Sequence, residues 1–367
     1  MRQLMLHLMQ RQVLHLKQHL MQRQLHLLHI FFCIALCLSI CSNAFAADVG
    51  PHWESFKKQF ITNDGRVIDW QNAHISHSEG QGYVMLIALE MNDKEAFDRV
   101  LTWSNQNLGT VLRAWSWGNK GTSWNVLDLN NATDGDIFHA WALLRAGEKW
   151  NNPEYTKAGT VIMDAIREEL IDENGYLLPA RFGFQHPGNT RLNLSYYVFS
   201  ALRYFAEHDP KYQKIWNDLY NKGMNLYFES LANPAKLPPD WVSVNQNGKL
   251  KPLQGPDAVF GFEAICIPIY LAWAKEKKAL NTFRPFIILI AKNRWMPQTV
   301  NLRDPNFLPS PGNLEGGIGH YASIARAATE LGMEKEAKVL WQLADESRAK
   351  HQRNYYGEVL YLLASVL

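Results

Sequence analysis

Periodicity is the feature that most constrains the fold. From residue 80 onward, apolar residues recur at helical spacing in segments separated by short polar connections bearing Gly or Pro, and few stretches show the two-residue period of a strand. The spacing predicts helices near 80–91, 94–107, 135–147, 153–169, 195–208, 212–229, 258–276, 280–293, 318–331, 333–350 and 353–366. No Pro/Ser-rich linker or charge run divides them, so one all-α domain over 47–367 is expected. No repeat of solenoid length appears, which leaves a toroid of paired helices. Three connections, 110–130, 178–194 and 231–257, are long; the first two are aromatic and the third is rich in proline and polar residues. Loops of that length in a compact domain are usually functional.

Residues 1–46 differ in kind from the rest. They carry Arg2, Arg11, Lys17 and Arg23, no acidic residue, and the apolar run Ile30 to Ile40. Ala44-Phe45-Ala46 supplies the small residues that signal peptidase requires, so a signal peptide cleaved before Ala47 is expected, with export to the periplasm or beyond. No stable membrane span remains after its removal. The segment His7-Leu-Met-Gln-Arg-Gln12 recurs at His19-Leu-Met-Gln-Arg-Gln24, which fits an extended basic leader or a start codon assigned upstream of the true one. Cys33, Cys37 and Cys41 leave with the leader, so Cys266 has no disulfide partner; a chain this long can bury a sufficient core without one. The remainder has 33 basic and 35 acidic residues, a net charge of −2, which argues against nucleic acid as a partner.

Two carboxylates stand out. Ser78-Glu-Gly-Gln81 has the spacing of a capping box ahead of Tyr83, Val84, Leu86 and Ile87, which puts Glu79 in the first turn of a helix. Gly80 and Gly82 weaken that helix and would leave room beside the acid for a sugar ring. Asn131-Ala-Thr-Asp-Gly-Asp136 repeats the pattern, with Thr133 as cap to Asp136 and Asp134 where Glu79 stood. Helix starts that share one rim of a toroid could bring the two carboxylates together, and paired carboxylates are the minimal equipment of glycoside hydrolysis. A helix N-terminus favours ionisation, whereas a general acid must keep its proton. Burial or a like charge must push one of them up, and Glu79 beside Tyr83 is the better candidate.

These residues and their surroundings resemble glycoside hydrolase family 8, in particular its periplasmic endoglucanases of bacterial cellulose synthesis. The resemblance runs through Trp53-Glu-Ser-Phe-Lys-Lys58, Asp64-Gly-Arg-Val-Ile-Asp69, Ser78-Glu-Gly-Gln-Gly-Tyr83, Trp124-Asn-Val-Leu-Asp128, Ala132-Thr-Asp-Gly-Asp136, Asn193-Leu-Ser-Tyr196, Asp240-Trp-Val242 and Tyr355-Tyr356. It implies an (α/α)6 barrel that hydrolyses β-1,4-glucan with inversion, acting as a monomer, without cofactor or metal, with a cellulose synthase complex as a possible partner. By position, Glu79 would be the proton donor and Asp134 the second acidic residue, held to act as nucleophile or to position the sugar. The third carboxylate departs from the pattern: where the family often has Tyr-Asp-Ala-Ile-Arg, this chain has Phe262-Glu-Ala-Ile-Cys266. Glu263 is the expected base, with Asp257 as rival and Asp134 still possible. Cys266 cannot supply the cation that an arginine would.

Tyr83, Trp115, Trp124, Asp136, Arg191, Tyr196, Trp241 and Tyr356 are the expected substrate contacts. Aromatic faces suit stacking on sugars, and Trp141, Trp273 and Trp341, at helical spacing, fit the core better. Chitosan or xylan could replace cellulose, and the altered Glu263 and Cys266 also fit a glucan-binding remnant of low activity. The Asp-rich motifs of isoprenoid cyclases, which share the toroid, are absent.

Overall fold

The computed structural model describes residues 49–304, 314–350 and 354–367; the expected signal peptide and its cleavage point lie outside them. Gly50–Leu367 forms one compact unit. Its helices are α1 (Gly50–Phe60), α2 (Ser78–Glu90), α3 (Lys94–Asn107), α4 (Thr133–Lys149), α5 (Pro153–Glu169), α6 (Phe199–His208), α7 (Gln213–Ser230), α8 (Ile267–Trp273), α9 (Lys277–Leu280), α10 (Arg284–Asn293), α11 (Ile318–Glu330), α12 (Glu334–Lys350) and α13 (Tyr355–Val366).

Two kinds of helix alternate. In α2 eleven of 13 residues are buried, all around the helix, so α2 must be enclosed by others. Its successor α3 buries one stripe, Ala96, Phe97, Val100 and Trp103, and faces water elsewhere. The inner helices α2, α4, α6, α8, α11 and α13 contact one another in that order, and α13 returns to α2, which closes the ring. Around them α3 packs on α2, α5 on α4, α7 on α6, α12 on α11 and α1 on α13, while α10 lies against α11 and α12. The fold is an (α/α)6 barrel.

Inner helices lead to their outer partners through short turns such as 91–93, 150–152 and 331–333. The long returns all fall at the other end, so the N-termini of the inner helices share one mouth. There the structure departs from the expected all-helical reading. Residues 110–130 are a hairpin of β2 (Ala114–Asn119) and β3 (Trp124–Asn131), extended by β1 (Ser76–His77) into a three-stranded antiparallel sheet. The pair Ser76↔Trp117 ties this hairpin to the entrance of α2. The second and third long connections pair as β4 (Gln185–His186), β5 (Asn189–Asn193) and β6 (Trp241–Asn245), with Arg191 opposite Ser243.

The helix expected over 258–276 is also wrong at its start: β7 (Val259–Phe260) pairs with β8 (Val300–Asn301), a 3₁₀ turn covers 264–266, and α8 begins only at Ile267, where Pro268 suits a first turn. Likewise 195–208 opens as a 3₁₀ turn over Leu194–Tyr196 before α6, and 280–293 contains a 3₁₀ turn at Asn281–Phe283. No described helix is long and apolar enough to cross a membrane.

Candidate active site

The mouth opens into a cavity of about 450 Å³ lined by Asp69, His77, Glu79, Trp115, Glu263 and Tyr356, among others. Glu79 and Glu263 reach it from different inner helices, Glu79 from the first turn of α2 and Glu263 from the residues that lead into α8. Asp134, in the first turn of α4, is buried and close enough to feel the charges of both.

The entrance to α2 is capped differently from the sequence reading. His77 is the N-cap, its Nδ1 accepting the Gly80 N–H at 3.0 Å, and Ser78 is the first helical residue. Gln81 points away from the cap: its Oε1 accepts the Val67 N–H at 2.6 Å and its Nε2 donates to Ser104 Oγ at 3.0 Å. A buried amide that spends its groups on the 65–67 loop and α3 has none left for a capping box. At α4 the N-cap is Ala132, without a side-chain cap bond, while the Thr133 hydroxyl donates to the Leu178 carbonyl at 2.6 Å.

Gly80, Gly82 and Gly135 do not make room for a sugar. A methyl group on Gly80 would collide with the Tyr355 hydroxyl, one on Gly82 would lie 2.8 Å from Phe138 Cβ, and one on Gly135 would lie 2.8 Å from the Glu79 backbone nitrogen. The glycines let α2, α4 and α13 approach closely at their first turns, which is what brings Glu79 and Asp134 together.

Burial outweighs the helix N-terminus in setting the charge of these acids. Glu79 is pushed up to about 7, chiefly by burial and further by Asp69, against the Tyr83 hydroxyl that donates to its Oε1 at 3.0 Å. Glu263 is also pushed up to about 7, first by burial and then by the Glu79 charge, while Asn193 Nδ2 donates to its Oε2 at 2.9 Å and favours the carboxylate. Asp134 is raised well above the ordinary range by burial and by Glu79 and Glu263, with one backbone bond from Gly135 N–H opposing. His77 is held neutral by burial, with Asp69 opposing.

The expected contacts divide into three groups. Trp115 and Tyr356 line the cavity. Trp124, Arg191, Tyr196 and Trp241 lie in the loops and sheets of the mouth: Trp124 stacks on Trp117 at 5.2 Å, and the Arg191 guanidinium sits 4.4 Å above the Trp241 ring while Tyr196 flanks that ring at 6.3 Å. Tyr83 and Asp136 are buried in the barrel and have no open face to offer a sugar. Tyr83 stands behind Glu79. Asp136 accepts the Arg113 N–H at 2.9 Å and Asn131 Nδ2 at 2.8 Å, and so anchors the feet of the hairpin.

Asp257, the rival base, is tied to Arg191 at 2.6 Å and is absent from the residues that line the cavity. Reading the sequence assigned no role to Asp69, His77, Asn193, Asp240, His320 and Tyr355, although Asp69, Asn193, Asp240 and Tyr355 lie in the motifs that carry the resemblance. Asp240 accepts the backbone N–H groups of Gly261 and Ala264 and so fixes the turn that carries Glu263. That role is not legible from spacing, because a side chain that bonds to backbone twenty residues away leaves no local pattern.

Among the described residues no group of histidines, cysteines and acids could hold a metal ion. An enclosed helical toroid whose mouth gathers one buried and two partly buried carboxylates, each driven toward its neutral form, is the site of a glycoside hydrolase. The chain belongs to glycosyl hydrolases family 8, whose pattern it matches over residues 28–367. It is 34% identical to an endoglucanase of Escherichia coli K12 over 70% of this chain and 73% of that one, and 34% identical to a probable endoglucanase of Novacetimonas hansenii over 87% and 90%. Among solved structures, an endo-1,4-D-glucanase of Vibrio fischeri ES114 superposes with a TM-score of 0.72 at 30% identity, covering 86% of this chain and 93% of that one. A cold-adapted family 8 xylanase superposes with a TM-score of 0.69 at 18% identity over 88% and 91%, which is a likeness of fold.

Proposed function

We propose that the protein is an exported endo-β-1,4-glucanase that cleaves with inversion, with Glu79 as general acid, Glu263 as general base and Asp134 positioning the sugar at the cleavage point. The observation that carries this reading is the pair Glu79 and Glu263 in one cavity, each pushed up to about 7 by burial and by neighbouring carboxylates. Each charge opposes the other, so near pH 7 the pair holds about one proton. Asn193 and the field of Arg191 favour the ionised form of Glu263 while Asp240 opposes it, and Asp69 disfavours that of Glu79 while the Tyr83 hydroxyl favours it. In this reading the proton rests on Glu79, ready for the leaving oxygen, and Glu263 takes one from water. The endoglucanase relatives support a β-1,4-glucan substrate; the role proposed for the activity is trimming of glucan chains beside a cellulose synthase.

A second reading has its own observation. The cavity wall carries Asp69, Glu79, Glu263 and Glu315 and, among the described residues, no Lys or Arg. Such a wall also suits a cationic amino-sugar polymer such as chitosan.

The deciding measurement is loss of viscosity of a soluble β-1,4-glucan, with Glu79→Gln as control. Rapid loss that falls at least about a thousandfold in the variant is expected, as for a general acid with no substitute donor. Equal loss in both proteins would remove Glu79 from the chemistry, and loss on chitosan alone would select the second reading.

A further inference from the structure

The strand pair at the mouth holds Glu263 by both its backbone and its carboxyl. Asn193, the last residue of β5, pairs with Trp241, the first of β6, and Asp240 directly precedes Trp241. Asp240 Oδ1 accepts the Gly261 N–H at 2.7 Å and the Ala264 N–H at 2.9 Å, which fixes the backbone on either side of Glu263. From the paired strand, Asn193 Nδ2 donates to Glu263 Oε2 at 2.9 Å, which fixes the carboxyl.

The Asn193 amide can face Glu263 in one way only. Its Oδ1 accepts the Ser195 N–H at 2.9 Å and the Ser195 hydroxyl at 2.7 Å. A backbone N–H can only donate, so the amide atom it meets is the oxygen, and the NH2 group is left for Glu263. A turned amide would set oxygen against carboxylate and nitrogen against N–H. Asn193 and Ser195 are both buried, so water offers no substitute partners. Asn193 also caps the 3₁₀ turn Leu194–Tyr196 through the same Oδ1, so the fold of that turn dictates where the amide points.

Among the described residues no lysine or arginine forms an ion pair with Glu263, and Asn193 is its one side-chain donor. Arg191, whose field reaches Glu263, is bound to Asp257 at 2.6 Å. A hydrogen bond to a carboxylate is about twice as strong as one between neutral groups, so the amide favours the ionised form. We propose that Asn193 is a positioning residue for Glu263: its amide holds Oε2, leaves Oε1 to take a proton from the attacking water, and makes Glu263 the ionised member of the two glutamates in the cavity. The water oxygen bonds to the anomeric carbon as its proton passes to Oε1, and the bond to the leaving oxygen breaks as Glu79 protonates that oxygen. The inference rests on Glu263 as the base. The other groups facing Glu263 are Glu79 from α2, Asp134 from α4, Arg191 from β5 and Asp240 from the approach to β6. Tyr196, Cys266 and Tyr356 complete the set. All of them remain when Asn193 is replaced.

The test is the pH profile of kcat and kcat/KM on soluble β-1,4-glucan for the full chain, Asn193→Asp and Asn193→Ala. Aspartate keeps the oxygen that caps Ser195, so the turn is preserved, but it has no N–H for Glu263 and sets a second carboxyl against it. Both variants should lower kcat about ten- to a hundredfold, the range of one lost hydrogen bond to a charged group, with KM held within about twofold. Both should also move the acid limb upward by about half a pH unit or more, because a base without its donor gives up its proton less readily. The shift should be the larger in Asn193→Asp. A purely structural role would lower activity at every pH alike and leave the limb in place. An acid limb unmoved in Asn193→Asp therefore overturns the proposal, and should Asn193→Ala fail to fold, Asn193→Asp decides alone. Infrared titration of the Glu263 carboxyl, taken in each background as the difference from Glu263→Gln, reads the same shift without turnover. Glu263→Gln also separates the two failures. If it keeps its activity, Glu263 is not the base and the reading falls together with the proposal; if it is inactive while the limb stays in place in Asn193→Asp, the part given to Asn193 falls alone.

Discussion

Glu79 and Glu263 hold their protons to about 7 in the folded chain, well above where a glutamate in an unfolded chain lets go. Between these two points the unfolded state binds fewer protons than the native one, so stability falls as pH rises through the window. It is fully present below the unfolded value and is reduced by at most about 1.4 kcal/mol per pH unit for each group. Glu79→Gln and Glu263→Gln should therefore raise the melting temperature at pH 8 and leave it nearly unchanged at pH 4. Thermal scans at the two pH values check this, and equal melting temperatures at pH 8 would mean that the acids are not strained by burial. Such sites gain stability when disarmed.

The same residue scale shows how far a sequence can be read. Glu79 and Asp134 are visible because each follows a small residue and precedes a glycine at a helix start. What the glycines do is not visible, since the Tyr355 hydroxyl and the start of α4 that crowd them come from distant segments.

Elements divide along the same line. The inner and outer helices were legible because a helix shows its buried face every three or four residues, and the bounds of α3 and α5 agree with the periodicity to the residue. The sheets of the mouth were not. β2 alternates buried and open positions over only six residues, and β3 is open along nearly all of its length, so neither offers the run of alternation that marks a strand. What holds the hairpin is a stack: Arg66 lies 4.7 Å from the Trp117 ring centre and 4.5 Å from that of Trp124, while its Nε donates to Ser76 Oγ at 2.8 Å. Arg66→Ala should loosen Trp124 and with it the aromatic wall of the cleft. An arginine over an indole contributes about 0.5–2 kcal/mol, so KM should rise roughly two- to tenfold with kcat held within about twofold. Initial rates across a glucan concentration series separate the two constants, and a fall confined to kcat would place the stack in the chemistry instead.

At the scale of the molecule the barrel is closed by its most distant parts. α13 completes the inner ring against α2, and α1 covers α13 from outside, so residues near 52 must find residues near 358 before the ring exists. Arg348 joins these ends. Its guanidinium grips both carboxylate oxygens of Glu358, the Nη2 bond being 2.8 Å, touches the His52 ring and lies over Tyr361 at 4.1 Å. Both partners of the ion pair are largely shielded, at 20% and 16% side-chain exposure, which takes it out of the class of surface pairs that contribute little. Glu358→Ala leaves a half-buried guanidinium without its counter-charge, and a loss of about 2–4 kcal/mol is expected. Because no inner helix is enclosed until the ring shuts, this loss should shift one cooperative transition and not detach one end. Denaturant unfolding followed in parallel by tryptophan fluorescence and far-ultraviolet circular dichroism tests the point, since the 13 tryptophans are spread through the barrel from Trp53 to Trp341. Coincident curves, displaced together to lower denaturant in Glu358→Ala, are the signature of a barrel stabilised by closure. Curves that separate in the variant would show that α1 and α13 can leave while the remaining helices hold, and closure would then be a local contact.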